Sequence, residues 1–565
     1  MSQDIEALFD KAYQLQQEDQ LMQAIDLYEQ LLELSPKHAD ALHFLGLAYA
    51  QLGEMERAID YFSQALTIQP KDASLHNNLA NAYKRLHLLD KATHHYQCAL
   101  ELQPDYAQAY NNLATIYALQ GNYQQALNHY RLAVHAQPDF AAAHHNLGLL
   151  LLQANQLEAA KKQFNNVLTL NPNHVDARFY MGVLNLEANL LDEAEEAFQE
   201  VLAIDSEHVQ ALTNLGVIAL KREQGQIAID YFTKALGFDN QHMDARNNLA
   251  ATFMHHDRFE NALMHYDVLL KKDPKNIEYL YNSGVAQMTL GHLQEAINHF
   301  ETILTLQDTH FATLNNLAAI YIRLEQREQA ISFLKRALTV KPDDSAAQFM
   351  LRALTGDDKN PESSLSYVSN LFNNYALYYD QHMKGTLHYS LPQHIARLLH
   401  QLHCLKVERA IDLGCGTGLT GIILREITSH LTGVDIAAKM LERAKDKNIY
   451  DELVEAEVVA FLQQDKHSYD LITAADILPY MGELQTLFQA IHSRLTEQGL
   501  FIFTSEICTD GAWKLQESAR FCHSPDYIQS LCTQHGLHLL QQEKIAARQQ
   551  HSDVLDVMLY AARKS

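Results

Sequence analysis

The sequence predicts a chain of two unlike parts: an all-α superhelix of paired helices over residues 5–344, and an α/β domain built on a mainly parallel sheet over residues 365–565. Three observations predict it. Residues 5–344 repeat every 34 positions without insertion. The stretch ERAIDLGCGTGLTG (408–421) reads as a short buried strand, a glycine turn and a helix. Beyond it, short apolar runs alternate with amphipathic segments.

Size and composition narrow the class. At 565 residues the chain is too long for one core. No apolar run approaches the roughly 20 residues of a membrane span. The start, MSQDIEALFDKAYQ, lacks the basic region and apolar core of a secretory signal. The six cysteines form no C-x-x-C pair, which argues for a reducing, cytoplasmic setting and against a zinc site. A net charge of −26 argues against a nucleic-acid partner, because a phosphate backbone needs a positive footprint. The 31 histidines are read as solvated faces, so no metal is expected.

With the 34-residue frame set at Ile5, the twentieth position is alanine in every repeat, from Ala24 to Ala330. The eighth is always Ala or Gly, and the twenty-fourth is aromatic in nine repeats, with Leu334 in the tenth. Two helices approach closely only where side chains are small, so these positions mark a crossing. Proline at position 32, as in Pro36 and Pro70, stops the second helix. The pattern resembles tetratricopeptide repeats, ten of them. Such units bury their apolar faces on one another, and the last needs a polar cap. SAAQFMLRALTG (345–356) is expected to be that solvating helix, and the polar TGDDKNPESS (355–364) the linker.

Position six is asparagine in seven repeats: Asn78, Asn112, Asn146, Asn214, Asn248, Asn282 and Asn316. In the fold that the resemblance implies, this position faces the concave groove. The row is similar to the asparagine ladder of O-linked N-acetylglucosamine transferase. That implies a grip on the backbone of a protein or peptide partner, since a carboxamide both donates and accepts. The other reading is that these asparagines tie neighbouring helices together.

In the second part, Gly414, Gly416 and Gly418 let backbone N–H groups approach a ligand and let the turn take positive φ. Leu419 stands where a dinucleotide fingerprint would place its third glycine. Asp412, at the end of the strand, suits a cationic ligand better than a pyrophosphate. LTGVD then reads as a second strand ending in Asp435, whose carboxylate can accept from both hydroxyls of a ribose. These motifs resemble those of class I S-adenosylmethionine-dependent methyltransferases. The implied fold is an α/β Rossmann-like methyltransferase domain following an all-α tetratricopeptide superhelix, and the implied cofactor is S-adenosyl-L-methionine.

The resemblance carries further residues into the cofactor site. Cys415 fills the glycine turn, and Ile436 and Met440 follow the acid of the second strand. Glu457 would accept from the adenine amino group, and the Val458 N–H would meet the ring. Tyr375 and Tyr379, on a leading aromatic helix, would cover the nucleoside. Strands are expected at 469–475 and 499–507, and an antiparallel pair from the tail. Asp476, His523 and Tyr480 are the candidate general bases, and Trp513 is placed in a loop after the fifth strand. The segment after Asp476 lacks N/D-P-P-Y/F, which argues against methylation of glutamine or DNA adenine.

The favoured function is a methyltransferase whose repeats recruit a protein or peptide, as in bacterial-type repeat-fused methyltransferases. The alternatives are an enzyme for a small or carrier-bound substrate, localised by its repeats, and a non-catalytic scaffold.

Overall fold

The computed structural model describes residues 2–356, 364–550 and 553–565, so most of the expected linker lies outside the described residues. The chain divides into two compact units, 1–249 and 250–565.

The first unit is built from helix pairs such as Ala107–Leu119 with Tyr123–Ala136, and Val209–Lys221 with Gly225–Phe238. The small positions meet the aromatic ones, and the chemistry of the two is matched. Where position eight is glycine the ring is phenylalanine: a Cβ on Gly148 would lie 2.8 Å from the ring of Phe164, and one on Gly216 closer still to that of Phe232. Where it is Ala80 or Ala114 the ring is tyrosine, and the next residue meets its hydroxyl. Thus Tyr96 donates to Asn81 at 2.5 Å, and the Tyr130 and Thr115 hydroxyls lie 3.1 Å apart. In each repeat the turn between helices places position 15 in the left-handed region, at Gly121 but also at His87, Asn155 and Glu223.

The second unit holds the last helix pairs, Phe259–Lys272 to Arg327–Val340, and the helix Ser345–Thr355. Gly356 stops that helix at φ 75. Its expected solvated face is corrected: Phe349 and Ala353 are buried against Leu515, Ala519 and Phe521 of the α/β domain. The Ser345 hydroxyl, at the start of this helix, lies 3.1 Å from that of Ser364, and Phe349 packs on Tyr367. Arg327 pairs with Glu517 at 2.8 Å.

The α/β domain is one nine-stranded sheet. Its strands are β1 (Val407–Leu413), β2 (Thr428–Asp435), β3 (Glu452–Glu455), β4 (Tyr469–Ala474), β5 (Leu495–Ile507), β6 (Trp513–Leu515), β7 (Phe521–His523), β8 (Leu537–Gln550) and β9 (Asp553–Lys564). The order β3-β2-β1-β4-β5 is parallel; β9 runs antiparallel to β5, and β8 to β9. Both faces are covered, so the carboxyl halves of β1 (410–413) and β4 (471–474) are buried without alternation. Trp513 lies not in a loop but at the start of β6, which pairs with β7 to extend the sheet past β5. Its ring packs edge-on against Phe521 with centroids 5.7 Å apart.

Candidate active site

β1, β2 and β4 bring Asp412, Asp435 and Asp476 to the carboxyl edge of the sheet, where open parallel sheets bind ligands. A cavity of about 570 Å3 opens there, within the usual size of small-molecule sites. Its walls are the glycine turn (Gly414, Gly416), the end of β2 (Asp435, Ile436) with Met440, and the turn after β3 (Glu457, Val458). Asp476, Ile477 and Tyr480 follow from β4. The helix Leu365–Tyr375 contributes Leu365, Val368 and Phe372, with Tyr379 beyond it.

The glycines sit at φ 66, 54 and 88, as the turn requires. Their amides do not serve as expected. Gly414 and Cys415 donate to the Val434 carbonyl at 2.8 and 3.0 Å, Gly416 to Asp435 Oδ2 at 2.8 Å, and Gly418 to the Cys415 carbonyl at 2.8 Å. These bonds pin the turn to β2 and to itself. What Gly416 offers is bare surface, since a Cβ there would meet nothing within 4 Å. Gly418 is turned away from the cavity: its Cβ would press on Ile449 and Tyr450 at 3.0 Å. Cys415 is also turned away, its Sγ lying beside Gly433, where burial pushes the thiol pKa well up.

Sequence reasoning missed Tyr450. Its ring fills the space under the turn, where a Cβ on Gly421 would overlap the hydroxyl and one on Gly433 would lie 2.9 Å from the ring. The hydroxyl donates to Asp412 Oδ2 at 2.8 Å, and Thr473 donates to Oδ1 at 2.8 Å. Asp412 is therefore not on the cavity wall but beneath it, 1% exposed. Burial raises its pKa to about 6 despite these two bonds. The available signal was the pair of glycines, Gly421 and Gly433, that no turn requires.

Asp435 accepts from Gly416 N–H at 2.8 Å and from Ala437 N–H at 2.9 Å, and so fixes both the turn and the start of the next helix. Burial raises its pKa, opposed by those amides. A carboxylate has about four acceptor sites, so capacity remains on the cavity side. Glu457 caps the helix Val458–Gln464, accepting from Val459 and Ala460 N–H at 2.9 and 2.7 Å. Tyr375 is not on the cavity wall; its hydroxyl bonds His382 Nδ1 and its ring packs edge-on to Tyr379.

Two of the three candidate bases are engaged by arginines, and the third, His523, is fully buried off the cavity wall with its Nδ1 unpartnered among the described residues. Asp476, at φ 58, lies between Arg520 Nη2 at 2.6 Å and Arg548 Nη1 at 3.3 Å. Burial alone would raise its pKa, but the two guanidiniums outweigh burial and hold it below the usual carboxylate range. Tyr480 keeps its proton, because burial raises its pKa, and its oxygen accepts from Arg520 at 2.6 Å. His523 Nε2 faces the carbonyls of Met481 and Gly482 at 2.9 and 3.0 Å, so it carries the ring proton. Burial lowers its pKa to about 4. Arg520 and Arg548 are further residues that sequence reasoning missed.

All seven asparagines of the row are half-buried. Several bond the preceding repeat: Asn78 to His43 at 2.9 Å, Asn112 to Asn81 at 3.1 Å, and Asn146 to Asn111 at 3.0 Å. In the second unit Asn316 donates to Tyr281 at 3.4 Å. The tie between helices is thus present in the row.

Comparisons with known proteins fit this division. A family described as methyltransferase domain matches residues 411–501. Families described as tetratricopeptide repeat match 9–73, 145–209 and 213–277, then 72–138, and 287–354. The ubiquinone biosynthesis O-methyltransferase of Histophilus somni is 24% identical over 137 residues, covering 23% of this chain and 58% of that protein. The malonyl-[acyl-carrier protein] O-methyltransferase of Salmonella typhimurium is 26% identical over 152 residues, covering 27% and 57%. The chain spans about half the length of the curated relatives it matches. Among solved structures, YrrB, described as a TPR protein with an unusual peptide-binding site, is 29% identical over 33% of this chain and 95% of its own, at a TM-score of 0.30. Among the described residues no helix is long and apolar enough to cross a membrane.

Proposed function

We propose that this chain, a tetratricopeptide-repeat protein carrying a methyltransferase domain, binds S-adenosyl-L-methionine in the cavity above its sheet and passes the methyl group to an acceptor recruited by its repeats. The observation that carries the reading is Asp435. It is a buried carboxylate on the cavity wall, fixed by two backbone amides and with acceptor capacity left for a ribose diol. The residues present fit the rest of the cofactor. Ile436, Met440, Val458 and Phe372 offer apolar walls to a flat base, and the Gly416 surface admits close approach. When bound, the cofactor supplies a sulfonium methyl that is already activated for displacement. The chain's part is then to position, and holding reactants in line contributes on the order of 7–11 kcal/mol.

An oxygen acceptor is supported by the two relatives named as O-methyltransferases. A protein or peptide partner is supported by the row of half-exposed carboxamides, and a cytoplasmic setting by the unpaired cysteines.

Calorimetry tests the reading. S-adenosylmethionine should give heat on titration into the full chain and NADH none; a folded protein that gives no heat with S-adenosylmethionine overturns it. Replacing Asn112 and Asn146 by Ala should lower methylation of macromolecules while cofactor affinity holds.

A further inference from the structure

The helix Ala438–Asp446 follows β2 and carries Met440 to the cavity wall, yet it starts without the usual devices. Its N-cap residue is Ala437, whose side chain cannot accept from the first turn, and that turn holds no acidic residue. It holds Lys439 instead, a cation at the helix end where the dipole favours an anion. What this helix lacks is supplied from elsewhere in the second unit. Asn373, on the helix Leu365–Tyr375, accepts from the Lys439 N–H through its Oδ1 at 2.9 Å. Asp257, in the turn before the helix Phe259–Lys272, faces the Lys439 ammonium at 3.5 Å and the Arg443 guanidinium at 3.7 Å.

Asp257 stands at position 15 of the eighth repeat, in the left-handed region at φ 55. Its carboxylate makes no other hydrogen bond or ion pair among the described residues, and neither do the two cations. Glu442 lies close by on the same helix but pairs with neither cation among the described residues. The contact borders a second cavity of about 200 Å3, with Met254, Phe259 and Val285 of the repeats on one side and Asn373, Lys439 and Arg443 on the other. The two cavities thus share two helices. Phe372 and Met440 line the first, while their neighbours Asn373 and Lys439 line the second. The Ser369 hydroxyl ties the helices once more, donating to the Ile436 carbonyl at 3.3 Å.

Ion pairs this exposed add little to the stability of a whole domain. Their leverage is local. Asp435 fixes the Ala437 N–H, Asn373 fixes the Lys439 N–H, and Asp257 balances the charge on the same turn. Ile436 and Met440, both on the wall of the first cavity, lie among these anchors.

We propose that Asp257 is a positioning residue of the cofactor site, supplied by the repeats to the methyltransferase domain; this rests on the cofactor reading above. By balancing the cationic first turn it holds Ile436 and Met440 where the nucleoside needs them. The cofactor site is then complete only with the eighth repeat in place.

The test is the calorimetric affinity of the full chain for S-adenosylmethionine. Asparagine stands at the same turn position as Asn155 and Asn189, at φ 56 and 58, so Asp257→Asn keeps the turn and removes the charge. It should weaken cofactor binding at least threefold. Arg443→Glu, which sets an anion against Asp257, should weaken it likewise. In a Lys439→Met/Arg443→Met background, Asp257→Asn should change affinity by less than half as large a factor, because the contact is already broken. Its effect in the wild-type background should also shrink in high salt, since the Debye length falls from about 10 Å at 0.1 M to about 3 Å at 1 M. Glu223→Gln, at the same position of the seventh repeat, should leave affinity unchanged. Affinity indifferent to Asp257→Asn or to Arg443→Glu, a loss equally large without the two cations, or a loss that salt does not reduce overturns the proposal. Wild-type protein that gives no heat with the cofactor fails the earlier reading and this one together; wild-type binding that Asp257→Asn leaves intact fails this one alone.

Discussion

Replacing Gly216 by Ala sets two effects of opposite sign against each other. Alanine is favoured over glycine within a helix by about 1 kcal/mol, so propensity alone predicts a gain. Packing predicts a loss. The new Cβ would lie 2.7 and 2.8 Å from Cδ1 and Cζ of Phe232, and closer still to Cε1. Ordinary carbon contacts lie at about 3.5–4.0 Å. The ring is fully buried, so any retreat must displace its neighbours. Overpacking of this kind costs about 1–3 kcal/mol, and a retreat of this size belongs in the upper half of that range. The net expectation is a destabilisation of about 1–2 kcal/mol at the seventh repeat. Changing Val217 to Thr and Phe232 to Tyr as well rebuilds the arrangement of Ala114, Thr115 and Tyr130, whose hydroxyls lie 3.1 Å apart, and should recover most of the loss. Repeat arrays do not unfold as one unit, so the measurement is native-state hydrogen exchange of the amides in Val209–Lys221. Slower exchange in Gly216→Ala than in wild type, or a triple variant no better protected than the single one, would refute the packing argument.

Other expectations follow from the site. Asp435→Asn leaves either Gly416 or Ala437 N–H without an acceptor and removes one charged partner of the ribose. Cofactor affinity should fall by tenfold or more and domain stability by about 1–3 kcal/mol, read by calorimetry and thermal melts; an unchanged affinity means the ribose is elsewhere. Asp412 has its folded pKa raised to about 6, so its stabilising share is fully present below its unfolded value near 4 and is lost as pH rises through 6. Without cofactor, Asp412→Asn should therefore gain on wild type by about 3 kcal/mol between pH 4 and 7 in denaturant titrations; a pH-independent difference would contradict the buried assignment. Arg520→Met strands Asp476 and Glu506 and should cost about 3–5 kcal/mol, read by the denaturation midpoint of the α/β domain. Phe349→Ala should destabilise the second unit by about 3–5 kcal/mol, where a solvated cap would give almost no change.

Much of this was legible because backbone geometry dictated residue type at fixed spacing. The glycine turn, Asp435 and the paired helices are of that kind. The matched triplets at positions 8, 9 and 24 were equally open to view, but each column makes sense only beside the others. Position 15 was hidden because Glu223 and His87 adopt a left-handed turn normally marked by glycine. The covering helix was misjudged at its end. It stops at Tyr375, so Phe372 and not Tyr375 reaches the cavity. The β6–β7 hairpin has strands of three residues, too short for an alternating pattern. Arg520 and Arg548 meet Asp476 only after 44 and 72 residues of intervening chain, and no local period signals such a meeting.

The buried face of the helix Ser345–Thr355 has a practical meaning for anyone who divides this protein. A stop codon after Thr355 would not release a self-sufficient array of repeats: Phe349, 1% exposed in the intact chain, would be left bare together with Ala353. The α/β domain serves the last repeats as their lid stone, and the helix Ser345–Thr355 in turn braces the helix that covers the cavity, through Ser345 on Ser364 and Phe349 on Tyr367. Each half, expressed alone, should be stickier and less soluble than the whole.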